Sequence, residues 1–127
     1  MIKKFVKTLT LTSIMVSLFF TSASAETFEG TIQGADCVIN GINCAEDRTD
    51  PLLCMEKNFI LVTKGGEHFF LPNLYRSLKE SYYKQNVRVT GKRNGKAILV
   101  DILEVQKADK YRCIWDRKKF EDDLYGR

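Results

Sequence analysis

A two-residue turn signal at Asn94-Gly95 constrains the fold of this chain more than any other feature. Both central positions of a type I′ hairpin turn need a positive φ, which Asn and Gly tolerate better than other residues. Folding the chain there places Arg88 opposite Asp101 as an exposed ion pair and puts the apolar residues of both strands on one face. That predicted core face consists of Val87, Val89, Ile98, Val100 and Ile102.

A second hairpin is predicted at Gly65-Gly66, where His68 lies opposite Thr63. Its strands carry apolar residues on both faces, so their period does not identify the buried one. His68 is the only histidine of the chain. Because no second histidine is present to share a metal, we interpret it as a partly exposed strand residue rather than a ligand or a general base.

The segment between the hairpins predicts a short helix from Leu74 to about Lys84, with Asn73 as its N-cap. Thr27 to Gln33 alternates as an antiparallel strand does. The order strand, long loop, hairpin, helix, hairpin is typical of the OB-fold. We therefore predict a mainly β chain, a five-stranded antiparallel barrel over residues 26–106 with one helix between strands 3 and 4. Residues 107–127 form a C-terminal extension packed on the barrel, in which Tyr111, Cys113 and Trp115 alternate inward as a candidate sixth strand.

The last hairpin also carries a family resemblance. The run Asn86-Val87-Arg88-Val89-Thr90-Gly91, followed by Ile98-Leu99-Val100-Asp101-Ile102, resembles the final hairpin of the small periplasmic OB-fold domains of bacteria. The resemblance covers about residues 27–105. It implies an exported binding module. Separately, the sequence contains no Ser-His-Asp set and no paired carboxylates at a recognisable spacing, so we predict no catalytic residues and no cofactor. The long first loop and the C-terminal extension depart from that family's pattern.

Residues 1–25 have the pattern of a cleaved secretory signal peptide. Lys3, Lys4 and Lys7 precede an apolar run, and Ala23-Ser24-Ala25 forms a small-residue cleavage site. Three of the 20 Lys and Arg residues and none of the 16 Asp and Glu residues lie there. The mature chain, predicted to begin at Glu26, then has 17 basic and 16 acidic residues, a net charge of +1. We expect a periplasmic or secreted protein with no membrane span after cleavage, for which nucleic acid is not the expected partner.

Four cysteines in a small exported domain predict two disulfides. In Cys37-Val38-Ile39-Asn40-Gly41-Ile42-Asn43-Cys44, a turn at Asn40-Gly41 would make Cys37 and Cys44 direct cross-strand neighbours. By elimination, Cys54 then pairs with Cys113. A zinc or redox site is the alternative, although the chain contains no C-x-x-C motif.

The acidic first loop is the best candidate for a cation site. Glu46, Asp47, Asp50 and Glu56 could supply oxygen ligands for calcium. Their spacing does not match an EF-hand loop, so we interpret them as solvated loop residues and predict no metal.

The candidate binding surface is a basic and aromatic cluster around the fourth and fifth strands. It consists of Tyr82, Tyr83, Arg88, Lys92, Arg93 and Lys96. OB-folds bind ligands through loops and strand faces, and this cluster favours an anionic glycan, a headgroup or an envelope protein. We predict a non-catalytic binding or envelope-accessory module. The alternatives are a secreted metal-dependent hydrolase or nuclease on an OB-fold, and a secreted partner-binding or inhibitor protein.

Overall fold

The computed structural model describes residues 24–126, so the predicted signal peptide lies outside the described residues except for Ser24 and Ala25. One 3₁₀ helix, Pro51–Met55, lies in the loop between the first two strands. The other elements, in chain order, are β1 Glu26–Gly34, α1 Ala35–Asn40, β2 Phe59–Thr63, β3 His68–Phe70, α2 Arg76–Ser81, β4 Asn86–Asn94, β5 Ala97–Lys107, β6 Lys110–Asp116 and α3 Arg117–Tyr125.

The six strands form one sheet in the order β3-β2-β1-β4-β5-β6. Neighbouring strands in this order pair antiparallel, and the sheet closes into a ring through a parallel pair between Phe70 of β3 and Ala97 of β5. The amide N–H of Phe70 donates to the carbonyl of Lys96 at 2.7 Å. The mainly β prediction is therefore confirmed, and the predicted helix does lie between the third and fourth strands.

The β4–β5 hairpin forms, but its register differs from the predicted one. Asn94 pairs with Ala97, so the turn residues are Gly95 and Lys96, with Gly95 at a φ of +61°. A bulge follows, because Gly91 pairs with Val100 while Thr90 pairs with Ile102. The extra residue in β5 is Asp101.

This bulge changes which residues of β5 face the core. Val87, Val89, Ile98 and Val100 are fully buried, as predicted. Ile102 is only partly buried, and Leu103 takes its place inside the ring. The prediction that Ile102 faces inward was wrong because an extra residue reverses the alternation of side chains beyond it.

The β2–β3 hairpin is also shifted by one residue. Val62, rather than Thr63, lies opposite His68. The amide of Thr63 donates to the carbonyl of Glu67 at 2.8 Å, and Gly66 has a φ of +86°. The turn therefore contains three residues, Lys64, Gly65 and Gly66, instead of the predicted two. Three-residue hairpin turns commonly end in a residue in the left-handed region, and Gly66 occupies that position here.

Asn73 closes the ring instead of capping the helix. Its Nδ2 donates to the carbonyl of Val100 at 2.8 Å, and its Oδ1 accepts from the amide of Val100 at 2.9 Å. The side-chain amide thus replaces a strand residue next to β5. Helix α2 begins at Arg76, two residues later than predicted, and Tyr75 is its N-cap residue.

The core fills the ring and is covered at one end by α2. Leu74 is buried, and the partly buried Leu78 and Tyr82 pack on the core cluster, as the predicted stripe requires. The fully buried side chains that form the centre include Ile32, Phe59, Leu61, Phe69, Leu71, Val87, Val89, Ile98, Val100, Leu103 and Val105. At the opposite end of the ring, the β2–β3 and β4–β5 turns lie beside the start of β1.

Two glycines allow the strands to cross closely enough to close the ring. A Cβ at Gly30 would lie 2.0 Å from the carbonyl oxygen of Val62, and one at Gly91 would lie 2.2 Å from that of Leu99. These distances are shorter than any non-bonded contact, so the sheet bends at positions where only glycine fits.

Candidate functional site

The two tyrosines of the predicted binding surface lie at the end of the ring that α2 covers. Tyr83 is 4% exposed, and its hydroxyl donates to the carbonyl of Ala45 at 2.7 Å. Burial, followed by the nearby carboxylates of Glu56 and Asp50, raises the pKa of Tyr83. Tyr82 packs against the core cluster. Neither residue lies near the β4–β5 turn, because the chain enters β4 at the end of the ring that α2 covers.

Arg88 is held by partners within the protein. Its guanidinium donates to both carboxylate oxygens of Glu104, at 3.0 Å and 2.8 Å. The guanidinium also lies over the ring of Tyr111, 4.2 Å from its centroid. The hydrogen bonds to Glu104 raise the pKa of Arg88. The predicted Arg88–Asp101 pair is wrong, because the bulge moves Asp101 to Arg117, whose Nη2 lies 2.7 Å from Asp101 Oδ1.

Lys92 and Arg93 are neighbours in sequence but lie at different sites. Consecutive residues of a strand point to opposite faces. Lys92 lines a cleft of about 230 Å³ together with Leu99 and Arg117. Arg93 faces the open end of the ring. The predicted cluster is therefore divided, and only Arg93 and Lys96 remain together.

Arg93 and Lys96 lie over the ring of Phe69. The Arg93 Cζ is 5.0 Å from the ring centroid, and the Lys96 Nζ is 5.8 Å from it. Phe69 itself is 1% exposed and packs against Phe28, with 5.2 Å between the ring centroids. The two cations therefore cover an aromatic floor and are held in place by attraction to its face.

These residues belong to an open cleft of about 450 Å³, which we call the mouth cleft. Its walls come from the start of β1, the β2–β3 turn and the end of β4. It is lined by Thr27, Phe28, Glu29, Thr63, Lys64, Gly65, Glu67, Phe69 and Arg93, and Lys96 lies at its edge through its contact with Phe69.

The charges of the mouth cleft are only partly neutralised. Lys64 Nζ lies 3.2 Å from Glu29 Oε2 across the cleft wall. Within residues 24–126, neither Arg93 nor Lys96 forms an ion pair. Both side chains are exposed, and Arg93 Nε donates to the carbonyl of Gly95 at 3.3 Å. Within the described residues, Arg93 and Lys96 are therefore two cations without an ion-pair partner, although the cleft lining also contains the carboxylate of Glu67.

Sequence reasoning missed Phe28, Phe69 and Lys64 as parts of this site. A signal for them was present: in a meander of antiparallel strands, the β2–β3 turn and the β4–β5 turn lie at the same end of the sheet. Lys64 is beside the first turn, and Lys96 lies in the second. His68 is partly buried in β3 and lies outside the set of residues that line the mouth cleft.

One of the two predicted disulfides is formed. Cys37 and Cys44 are bonded, with their Cα atoms 4.8 Å apart. The connection differs from the predicted hairpin, because Cys37 lies in α1 and Gly41 ends that helix in the left-handed region, with a φ of +68°. A left-handed residue after a helix reverses the chain direction, which brings Cys44 back to Cys37.

The predicted Cys54–Cys113 disulfide is not formed, and both thiols are free and exposed. The prediction of this pair depends on elimination and not on a geometric relation between the two cysteines. A register shift in the β5–β6 pair leaves Ile114 without an opposite residue, since Leu103 pairs with Trp115 and Glu104 with Cys113. Cys113 therefore lies on the outer face with Glu104, while Trp115 points inward.

The carboxylates of the acidic loop serve as backbone acceptors. Asp50 accepts from the amides of Glu46 and Leu52, both at 2.9 Å, and these bonds lower its pKa. Asp47 accepts from the hydroxyl and amide of Thr49, and its pKa is also lowered. Within residues 24–126, no group of three or more His, Cys, Asp or Glu residues is placed to hold a metal ion.

The buried Glu56 is separate from these loop residues. It is 2% exposed, and its Oε1 accepts from the amide of Asp36 at 3.0 Å. A Cβ at Gly34 would lie 2.4 Å from Glu56 Oε2. Glu56 therefore packs directly on the backbone at the end of β1 and ties the first loop to the ring.

Comparison of the chain with protein-family models, with curated proteins and with solved structures gives no match. In the part of the chain that the structure describes, no helix has the length and apolar character needed to cross a membrane.

Proposed function

We propose that this chain is an exported, non-catalytic binding module built on an OB-fold, and that it binds an anionic group in the mouth cleft. The carrying observation is the position of Arg93 and Lys96 over Phe69 at the open end of the ring. The ligand class is an oxyanion such as a sulfate or phosphate group of a glycan or a lipid headgroup.

The strand order supports the OB-fold part of the proposal. Five strands in the order β3-β2-β1-β4-β5, with a parallel β3–β5 closure and a helix between β3 and β4, match that architecture. In this scheme β6 and α3 are additions after the fifth strand. OB-folds use the loop between strands 4 and 5 for ligands, which is the turn that carries Lys96.

The fixed positions of Lys96 and Arg93 in the protein support the proposal that the cleft binds an anion. The backbone of Lys96 is anchored to β3 by the hydrogen bond from Phe70 at 2.7 Å. Arg93 lies on the same hairpin, and its planar guanidinium can donate two parallel hydrogen bonds to one oxyanion. Side chains held in position lose less conformational entropy on binding, which increases affinity.

The disulfide supports the export part. Cys37 and Cys44 are bonded in a loop of a small domain, and such bonds persist in oxidising compartments such as the periplasm or the extracellular space. The amino-terminal pattern of residues 1–25 favours the same location.

A charge-matched pair of variants tests this function. The double variant Arg93→Gln and Lys96→Gln removes both cations that form no ion pair within residues 24–126. The control variant Lys107→Gln and Lys110→Gln removes two exposed basic residues from the β5–β6 turn at the other end of the ring. A heparin-derived oligosaccharide and vesicles containing phosphatidylglycerol are the two probes. We expect the first variant to lose salt-sensitive binding to at least one probe and the control to retain it.

Two results would contradict the proposal. Equal loss in both variants would mean that binding follows overall charge rather than the mouth cleft. Full binding by the Arg93 and Lys96 variant would place the ligand elsewhere. Comparison of the two probes distinguishes a glycan ligand from a lipid surface.

A further inference from the structure

The mouth cleft contains charges of both signs that are not paired with each other. Glu67 lines the same cleft as Arg93, and its side chain is exposed. Within residues 24–126, Glu67 forms no ion pair, and neither does Arg93 or Lys96. The carboxylate and the two cations therefore belong to one cleft of about 450 Å³ without an ion pair between them.

Strand alternation turns Glu67 and Arg93 toward the inside of the ring. Successive side chains of a strand point to opposite faces, so residues two apart share a face. Phe69 of β3 and Val89 of β4 are buried in the core. Glu67 lies two residues before Phe69, and Arg93 lies four residues after Val89. Both charged residues therefore continue inward-facing rows at the open end of the ring.

Hydrogen bonds fix the backbone on both sides of the cleft. The amide of Thr63 donates to the carbonyl of Glu67 at 2.8 Å, and the amide of Phe70 donates to the carbonyl of Lys96 at 2.7 Å. Phe70 and Ala97 form a parallel pair, so the residues that precede each of them lie at the same end of that pair. A ligand in the mouth cleft therefore meets a carboxylate and a cation whose backbones are already held in place.

The charges of the cleft lining cancel, which disfavours a ligand that is only anionic. Glu29 and Glu67 supply two carboxylates, and Lys64 and Arg93 supply two cations, with Lys96 as a third cation at the edge. Exposed charges act over about 10 Å at 0.1 M salt. The carboxylates therefore weaken the attraction for an oxyanion beside Arg93 and Lys96. A cationic group on the same ligand turns this repulsion into attraction.

We infer that the mouth cleft recognises a zwitterion, whose oxyanion binds Arg93 and Lys96 and whose primary ammonium group binds Glu67. The inference rests on the proposed function, because it assigns the oxyanion to the same two cations. An ammonium group has three N–H donors, and an ionised carboxylate is an acceptor only. Phosphoethanolamine has this chemistry, with two carbons between its phosphate ester and its ammonium group, and it exists free, linked to glycans and as a lipid headgroup.

Two ligands of nearly equal size test the role of the ammonium group. Propyl phosphate differs from O-phosphoethanolamine only by a methyl group in place of the ammonium group. Each is titrated into the ¹⁵N-labelled protein at low salt, and the amide shifts of residues 63–67 and 93–96 give the dissociation constant. Because an exposed ion pair contributes modestly, we expect the protein to bind O-phosphoethanolamine about two- to fivefold more tightly than propyl phosphate.

A pair of charge-matched variants assigns this preference to Glu67. Glu67→Gln should bind O-phosphoethanolamine more weakly and propyl phosphate no more weakly than the wild type, so the preference disappears. Asp109→Asn removes an exposed carboxylate from the β5–β6 turn, outside the cleft, and should keep the preference. Both side chains are exposed, so neither change should alter the melting temperature, which is measured for each variant.

Vesicles distinguish the possible sources of the zwitterion. Phosphatidylcholine vesicles with and without phosphatidylethanolamine are compared in a sedimentation assay. Stronger binding to the vesicles that contain phosphatidylethanolamine identifies a lipid headgroup. Binding of soluble O-phosphoethanolamine alone identifies a free or glycan-linked group, and both results support the inference.

Three results would overturn the inference. Equal affinity of the wild type for the two soluble ligands shows that the ammonium group is not recognised. A preference that survives in Glu67→Gln places the ammonium group elsewhere. Both of these results leave oxyanion binding by Arg93 and Lys96 intact. If neither ligand shifts the amides of residues 93–96, the proposed function fails together with the inference.

Discussion

The replacement of Asn73 by Ala tests how the ring is closed. Asn73 forms two hydrogen bonds to Val100, a fully buried residue of β5. The Ala variant leaves both the N–H and the carbonyl of Val100 without this partner. An unsatisfied buried group costs about 1 to 3 kcal/mol. Partial access of water through the neighbouring cleft reduces this cost, so the expected loss in the free energy of unfolding is about 2 to 4 kcal/mol.

This loss is large compared with the roughly 5 to 15 kcal/mol that stabilise a typical domain. Urea unfolding followed by the fluorescence of Trp115 measures it. Asn86→Ala is the matched control, because Asn86 is exposed and its side chain forms no hydrogen bond within residues 24–126. The control should change the free energy of unfolding by less than about 0.5 kcal/mol. If Asn73→Ala costs no more than the control, the amide does not close the ring.

Asn73→Asp refines the same test through its pH dependence. An ionised carboxylate can accept from the amide of Val100 but repels the carbonyl oxygen that Asn73 Nδ2 now contacts. We therefore expect the pKa of the introduced acid to lie above the ordinary aspartate value of about 3.9 in the folded state. The variant should be destabilised at neutral pH and should recover stability relative to the wild type as the pH falls through that raised pKa.

Three further predictions concern the buried lysine, the bent strand and the free thiols. Burial, followed by the charge of Arg76, lowers the pKa of Lys79, so the folded state gains stability as the pH rises through that lowered pKa toward 10.5. Lys79→Met should remove this dependence in alkaline melts without lowering stability, and a variant that keeps the dependence would contradict the assignment. Gly91→Ala should cost more than about 2 kcal/mol in urea unfolding, since its Cβ would overlap β5, and a change below about 0.5 kcal/mol would show that the strands separate easily. Cys54 and Cys113 are free and exposed, so maleimide added without a reductant should modify both. Intact-mass measurement detects this modification, and its absence would indicate that the two cysteines are bonded.

The hairpins, the helix between them and most of the core face could be predicted from the sequence because turn residues and alternation are local signals. The register could not. The stretch from Ile98 to Val105 is apolar at positions of both parities, so Ile102 and Leu103 were equally acceptable inward residues. Only the bulge at Asp101 decides between them.

The candidate site was only partly predictable for a similar reason. Closeness in sequence suggested one basic cluster, but alternation separates Lys92 from Arg93, and the path of the chain places Tyr83 at the opposite end of the ring. Phe69 could not be predicted as part of the site, because its hairpin carries apolar residues on both faces and the pattern does not identify the inward one. The disulfide between Cys37 and Cys44 was predictable from their spacing. The Cys54–Cys113 pair was predicted only because these two cysteines were left over, and both are free.

The most direct test of the proposed function is a map of ligand-induced amide shifts. The ¹⁵N-labelled protein is titrated with the heparin-derived oligosaccharide at low salt, and backbone amide shifts are followed for every assigned residue. The account predicts that the largest changes lie at residues 27–29, 63–67 and 93–96, which surround the mouth cleft, and that they disappear in the Arg93→Gln and Lys96→Gln variant. Changes centred instead on the β5–β6 turn or on α3, or spread evenly over the basic residues, would contradict it.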